Sequence, residues 1–111
     1  MISFMNRIVD LAYKMLDKHP RDVRKATVIA FVVKGDTIIS YGFNRRRFAN
    51  MKGLWTYHAE EQALKKAGPR SEGSILYVIR IKKNMDLGLA KPCDYCTKLI
   101  IDRGISKVIY S

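Results

Sequence analysis

The sequence predicts an α/β fold in which helices cover both faces of a central sheet. Apolar residues at helical spacing indicate a first helix over residues 3–18, with an end near Pro20. Two further segments have the helical pattern, residues 58–67 and residues 93–103. A β-branched and aromatic run over residues 74–81 separates them, and strands that alternate with helices are typical of a sheet packed between helix layers.

The other strands follow from their composition. Residues 27–33 form a continuous run of β-branched and apolar residues, which predicts a strand covered on both faces. Gly35-Asp36 predicts a tight turn, after which residues 37–43 return as a second strand, and residues 107–110 form a last short strand. The two remaining segments are predicted to be irregular connections: residues 44–57, and the polar residues 82–91.

Glycines end the two later helices, at Gly68-Pro69 and at Gly104. In the last helix, Leu99, Ile100 and Ile101 are predicted to supply the apolar surface. No repeat or linker divides the 111 residues, so a single domain over residues 1–111 is predicted.

The net charge of +11 comes from 21 basic and 10 acidic residues, which is a large excess for so short a chain. It indicates either an attraction to phosphate, on a nucleotide or a nucleic-acid strand, or merely a basic soluble surface. The basic residues fall into clusters: Arg21, Arg24 and Lys25; Arg45, Arg46, Arg47 and Lys52; Lys65, Lys66 and Arg70; Arg80, Lys82 and Lys83.

The two cysteines of the chain are Cys93 and Cys96. Their spacing suggests a reducing compartment with metal or redox chemistry, and a cytoplasmic location is the expectation. No apolar run approaches the roughly 20 residues of a membrane span, so no membrane partner is expected.

Two short motifs carry the chemistry: His58-Ala59-Glu60, and the later Pro92-Cys93-Asp94-Tyr95-Cys96. His58, Cys93 and Cys96 are the ligands that Zn²⁺ prefers, and three protein ligands leave one open position, as in catalytic zinc sites. Glu60 is predicted to carry protons to and from a water molecule at that position. The implied reaction is hydrolytic: water adds to an electrophilic ring carbon and ammonia departs.

Each half of this constellation has another interpretation when taken alone. The cysteine pair would also suit a thioredoxin-like redox site or a zinc knuckle, and a histidine near a helix start is often a cap or a core residue. The two halves together favour a catalytic zinc site, because neither alternative explains both.

At these residues the chain resembles the zinc-dependent cytidine/deoxycytidylate deaminase superfamily, whose signature joins His-x-Glu to Pro-Cys-x-x-Cys. The resemblance implies a three-layer α/β/α fold with a mixed sheet of four to five strands. It also implies that His58, Cys93 and Cys96 hold Zn²⁺, that Glu60 is catalytic, and that the protein forms a homo-oligomer.

The resemblance further implies substrate contacts. The backbone of Ala59 would touch the pyrimidine edge, and Asn44, at the end of Tyr41-Gly42-Phe43-Asn44, would contact the sugar. The full set of predicted substrate-binding residues is Asn44, Arg45, Arg46, Arg47, Trp55, Tyr57, Ala59 and Pro92.

Three functions are compatible with these residues. The first is deamination of a free cytosine nucleotide, dCMP to dUMP, with the phosphate met by Arg45, Arg46, Arg47 or Lys52. The second is deamination of cytosine or adenine within single-stranded DNA or RNA, including tRNA, with Phe48, Trp55 and Tyr57 stacking on bases. The third is a non-catalytic zinc-binding module.

Overall fold

A computed structural model describes residues 4–18, 26–48 and 54–111, with the backbone alone described at residues 45–48 and 54–57. Three α-helices are present in this part of the chain: α1 (Phe4–Lys18), α2 (Ala59–Ala67) and α3 (Asp94–Asp102), and a 3₁₀ turn over Gly68–Ser71 follows α2. The strands are β1 (Thr27–Lys34), β2 (Thr37–Phe43), β3 (Arg45–Phe48), β4 (Leu54–Tyr57), β5 (Ile75–Ile81), β6 (Leu87–Gly88) and β7 (Lys107–Tyr110).

Five of these strands form one mixed sheet. Strand β1 pairs antiparallel with β2 on one side and with β5 on the other. The far edge of β5 is shared, because β6 pairs antiparallel with its last two residues while β7 pairs parallel with its first four. The predicted mixed sheet is therefore confirmed.

Helices cover both faces of this sheet, as the sequence predicted. Helix α1 buries Ile8, Ala12 and Leu16 against the face formed by alternate residues of β1 and β5. Helices α2 and α3 pack on the opposite face, where the intervening residues of the same strands meet them. Because successive side chains of a strand point to opposite faces, β1 serves both layers, and its unbroken apolar run follows from that position.

Helix α2 lies unusually close to β2 at Gly42. A side-chain carbon at this position would come within 2.5 Å of the Ala59 carbonyl oxygen, so the residue must be glycine for the two backbones to approach. Two side chains strengthen the contact: Ser40 Oγ donates to the Ala63 carbonyl at 2.7 Å, and Gln62 Oε1 accepts from the Phe43 N–H at 2.8 Å. The start of α2, and the residues around it, are thus held against the sheet.

Three sequence predictions about local structure were wrong. Residues 44–57 are not wholly irregular, since β3 and β4 form a separate antiparallel pair. Residues 82–91 contain β6, whose two residues are too few to show strand periodicity. Ile101 is 70% exposed, because each helical residue turns about 100°, so that Ile100 is buried and Leu99 partly buried against the core while Ile101 points to solvent. In the described residues, no helix is long and apolar enough to cross a membrane.

Candidate metal centre

The metal motifs lie at the amino-terminal ends of two neighbouring helices. His58 immediately precedes α2 in an extended conformation, and its side chain makes no capping hydrogen bond. Cys93 immediately precedes α3, and its sulfur accepts a hydrogen bond from the Cys96 N–H at 3.5 Å. The alternative interpretation of His58 as a helix-capping side chain is therefore not supported, and its ring is available as a ligand.

The three predicted ligands converge. One ligand atom from each of His58, Cys93 and Cys96 lies within 4.8 Å of the other two, and Cys93 Sγ is 3.8 Å from His58 Nδ1. A tetrahedral zinc ion with bonds of 2.0–2.3 Å requires ligand atoms roughly 3.3–3.8 Å apart, so small adjustments suffice. Two thiolates and a neutral imidazole also match the charge of Zn²⁺, which supports zinc as the metal that these residues hold.

Glu60 lies beside this triad rather than within it. Its side chain is only 6% exposed, and its carboxylate is close enough to the Cys96 thiol to affect the pKa of that thiol. Glu60 also contributes to the wall of the cavity that opens onto the ligands. The carboxylate thus lies at the cavity wall next to the ligand triad, and its predicted role in carrying protons stays a prediction.

Burial raises the pKa of the Cys96 thiol, and the nearby Glu60 carboxylate raises this pKa further. The positive potential at the amino terminus of a helix favours a thiolate, but at Cys96 these two effects outweigh it. We expect zinc affinity to increase with pH: Cys96 keeps its proton between pH 6 and 8, and zinc must displace it. Displacing this one proton should raise the association constant for zinc by about tenfold per pH unit.

Competition with a chelator at several pH values would measure this dependence. A zinc affinity that stays constant between pH 6 and 8 would contradict it.

Tyr95, between the two cysteines, connects the helices. Its hydroxyl donates to Glu61 Oε2 at 2.7 Å, and this hydrogen bond raises the pKa of Tyr95. Its ring centroid lies 6.1 Å from that of His58. In the sequence Tyr95 stands out only as part of the cysteine motif. The structure indicates that it helps to keep α3 beside α2, and so the cysteines beside His58.

A cavity of about 320 Å³ opens beside the ligands. The described residues that line it come from both metal motifs, from β1 and β5, and from the chain directly after β2 and β6: Val28, Asn44, His58, Ala59, Glu60, Arg80, Leu89, Ala90, Lys91 and Cys93. Asn44 is anchored there, since its Oδ1 accepts from the Val28 N–H at 2.7 Å and its Nδ2 donates to the Ala26 carbonyl. Asn44 and Ala59 thus line the same cavity as His58 and Glu60, and their contacts with a substrate stay predictions.

The other predicted substrate contacts fall elsewhere or outside the described side chains. Pro92 lines a different cavity, together with Ile100 and Tyr110. For Arg45, Arg46, Arg47, Trp55 and Tyr57 only the backbone is described, in a strand pair that starts directly after Asn44 and ends directly before His58. The predicted contacts of Lys52 lie outside the described residues, and Phe48 is described by its backbone alone.

Arg80 and Lys91 also line this cavity, which the sequence did not predict. In the sequence Arg80 stands out only as one member of a basic cluster. One feature of the sequence could have indicated the role of Arg80: it is the single charged residue within the apolar strand Ile75–Ile81. A charged side chain is not favoured in a buried strand unless it has another role there.

Comparison with known proteins agrees with this site. The family model for the cytidine and deoxycytidylate deaminase zinc-binding region matches residues 3–111. The fold is similar to that of the dCMP deaminase from the cyanophage S-TIM5, in its apo form (22% identity, TM-score 0.61, 96% of this chain and 80% of that one). The same enzyme in complex with dCMP and dUMP gives 21% identity and a TM-score of 0.61, over 99% and 82% of the two chains.

A more distant likeness is to RibD from Acinetobacter baumannii, with 21% identity and a TM-score of 0.55 over 97% of this chain but only 27% of that one. No curated protein sequence gives a significant match. The matched family and the three converging ligands confirm the predicted zinc cofactor, and the structural neighbours confirm the predicted fold.

Proposed function

Because the chain belongs to the cytidine and deoxycytidylate deaminase family of zinc-dependent enzymes, we propose that its substrate is cytosine in a free nucleotide, namely dCMP, which it converts into dUMP and ammonia. Residues 1–111 would together form the single catalytic domain. The observation that carries the proposal is the placement of a nearly buried carboxylate, Glu60, beside three zinc ligands at the wall of a nucleotide-sized cavity.

His58, Cys93 and Cys96 would hold the zinc, which when bound supplies a Lewis acid that makes water nucleophilic at neutral pH. Glu60 takes a proton from the attacking water as its oxygen bonds to C4 of the ring. The carboxyl group delivers this proton to the ring nitrogen N3. It then takes the remaining proton from the new C4 hydroxyl as the C4 carbonyl forms and passes it to the exocyclic amino group, so that the C4–N bond breaks and ammonia leaves. Because Glu60 is nearly buried, bulk water has little access to this proton.

Two residues would orient the base and sugar. Ala59 lies at the cavity wall, where its backbone can meet the polar edge of a pyrimidine. The Asn44 amide is held by two backbone groups, so its remaining hydrogen-bonding capacity points in a direction set by the fold. A sugar hydroxyl would find a pre-oriented partner there, at a small entropic cost.

Two observations support dCMP over a base in a polynucleotide. The cavity volume of about 320 Å³ is near the lower end of the roughly 300–1,000 Å³ typical of small-molecule sites. The similar cyanophage structure is a dCMP deaminase in complex with dCMP and dUMP. The net charge of +11 favours the second candidate, deamination of cytosine or adenine in single-stranded DNA or RNA.

A substrate panel tests the proposal. Ammonia release by the zinc-loaded protein would be measured with dCMP, deoxycytidine, CMP, dCTP, a cytosine-containing DNA single strand and an adenosine-containing RNA hairpin. We expect the highest kcat/KM with dCMP. Dominant turnover of the strand or the hairpin would overturn the proposal in favour of the second candidate. The homo-oligomeric state and the cytoplasmic location stay predictions.

A further inference from the structure

We infer that Arg80 recognises the 5′-phosphate of the substrate, so that the enzyme selects a cytosine nucleoside monophosphate over the nucleoside. The inference rests on the proposed function and names the residue that determines its specificity. The sequence predicted that arginines of β3 bind the phosphate; the inference assigns this contact to Arg80 instead, in the strand at the centre of the sheet.

The alternation along β5 directs Arg80 toward the metal side of the sheet. Tyr77, Ile79 and Ile81 belong to the core beneath α1, whereas Leu76 and Val78 belong to the core beneath α2 and α3. Arg80 continues the second series, because residues two apart in a strand share a face. It occupies the next position after two buried apolar residues, where that core gives way to the cavity.

The neighbouring strands place Arg80 in line with Asn44. Asn44 bonds to Val28, Val28 is the register partner of Arg80 in β1, and Gly88 is the partner of Arg80 in β6. Residues directly opposite in an antiparallel pair share a face, so Val28 and Arg80 both face the cavity. A nucleotide with its sugar at Asn44 would therefore extend its phosphate along this row toward Arg80.

The neighbouring strand β6 leaves room for the side chain of Arg80. A carbon added at Gly88 would come within 3.2 Å of Arg80 Cδ, so the arginine stem lies over a glycine that leaves room for it. Ser111 holds β6 in place, since its Oγ accepts from the Arg80 N–H at 3.0 Å and donates to the Gly88 carbonyl at 2.7 Å. The guanidinium is thus carried on a fixed backbone rather than on a loop.

The guanidinium has no acceptor within the described part of the chain. The planar guanidinium of a partly buried arginine gains most from an anion that accepts two parallel hydrogen bonds, such as a phosphate. Lys91 adds a second cation to the same cavity wall, and the acidic side chain among the described lining residues is Glu60. A terminal phosphate, which is close to doubly charged at pH 7, matches two cations in a small cavity; a polynucleotide would need a basic groove that follows several phosphates.

The test compares Arg80→Gln and Arg80→Lys with Lys83→Gln, an exposed residue of the same hairpin whose substitution removes the same charge. Zinc-loaded proteins would be assayed with dCMP, deoxycytidine and a cytosine-containing single strand. We expect R80Q to lower kcat/KM for dCMP by roughly 10- to 100-fold, the usual effect of losing a hydrogen bond to a charged group, with little effect on deoxycytidine. R80K should recover part of this loss, and K83Q should resemble the wild type.

A second variant keeps the charge but moves it. The added carbon of Gly88→Ala would lie 3.0 Å from Lys82 Cγ and 3.2 Å from Arg80 Cδ, so both flexible stems would have to shift. The metal ligands are not touched, so the variant should produce a smaller loss that is again selective for dCMP. Binding of dUMP and of deoxyuridine, measured by calorimetry, gives a readout independent of turnover. R80Q should weaken dUMP binding and leave deoxyuridine binding unchanged.

Three results would overturn the inference: equal losses with dCMP and deoxycytidine, an unchanged preference for dCMP in R80Q, or a loss confined to the single strand. An unchanged preference for dCMP in R80Q would indicate that Arg45, Arg46 or Arg47 binds the phosphate instead. Failure of the wild type to deaminate any of the three substrates would instead refute the proposed function, and the dUMP binding measurement would still decide whether Arg80 binds phosphate.

Discussion

Glu60→Gln is expected to lower kcat for cytosine deamination by roughly 100- to 10,000-fold while zinc remains bound. The amide has nearly the same shape as the carboxylate but cannot take a proton from water or return it to the ring and the leaving amine. Glu60 is nearly buried and lies outside the ligand triad, so the substitution should leave the metal centre intact. Steady-state ammonia release, with zinc content measured on the same samples, checks both parts.

Glu61→Gln is the matched control for this prediction, since it makes the same chemical change one residue later. Glu61 bonds to Tyr95 and is not among the described residues that line the cavity, so its kcat should change far less. If E60Q kept more than a tenth of the wild-type kcat, Glu60 would not be the proton carrier. If E60Q lost zinc, the carboxylate would have a structural role at the metal.

The largest effect on stability is expected from Cys96→Ala. Ligands that bind only the folded state stabilise it, and zinc at 1,000 times its dissociation constant contributes about 4 kcal/mol to the free energy of unfolding. In a chain of this size that corresponds to a Tm increase of more than about 15 °C over the metal-free protein. Cys96 is the fully buried ligand, and its loss removes one of only two thiolates.

The experiment measures Tm with excess zinc and with excess chelator, for the wild type and for C96A. Taking the difference between the two conditions within each protein removes any packing cost of the substitution itself. The difference should be large in the wild type and nearly absent in C96A. Thr97→Ala, next to Cys96 but at an exposed residue that provides no ligand, should keep the zinc-dependent difference. The same difference in C96A as in the wild type would show that Cys96 does not hold the metal.

Much of the fold was predictable because its elements are long and locally consistent. The helix at Phe4–Lys18 and the strand at Thr27–Lys34 each carry a periodic or continuous apolar pattern that leaves little choice of structure. The pairs formed by β3 with β4 and by β6 with the end of β5 were missed. Strands of two to four residues show no readable period, and their backbone groups are satisfied only once a partner strand lies beside them.

The sequence by itself determined the metal ligands and predicted Glu60 as the proton carrier, because both depend on the chemistry of single side chains at short spacings. His58, Glu60, Cys93 and Cys96 could be selected without knowing how the chain folds. Only the tertiary structure decided which cation faces the substrate cavity. The position of Arg80 depends on the register of β5 against β1 and β6 and on the room that Gly88 leaves, and these are relations between segments that no local pattern encodes.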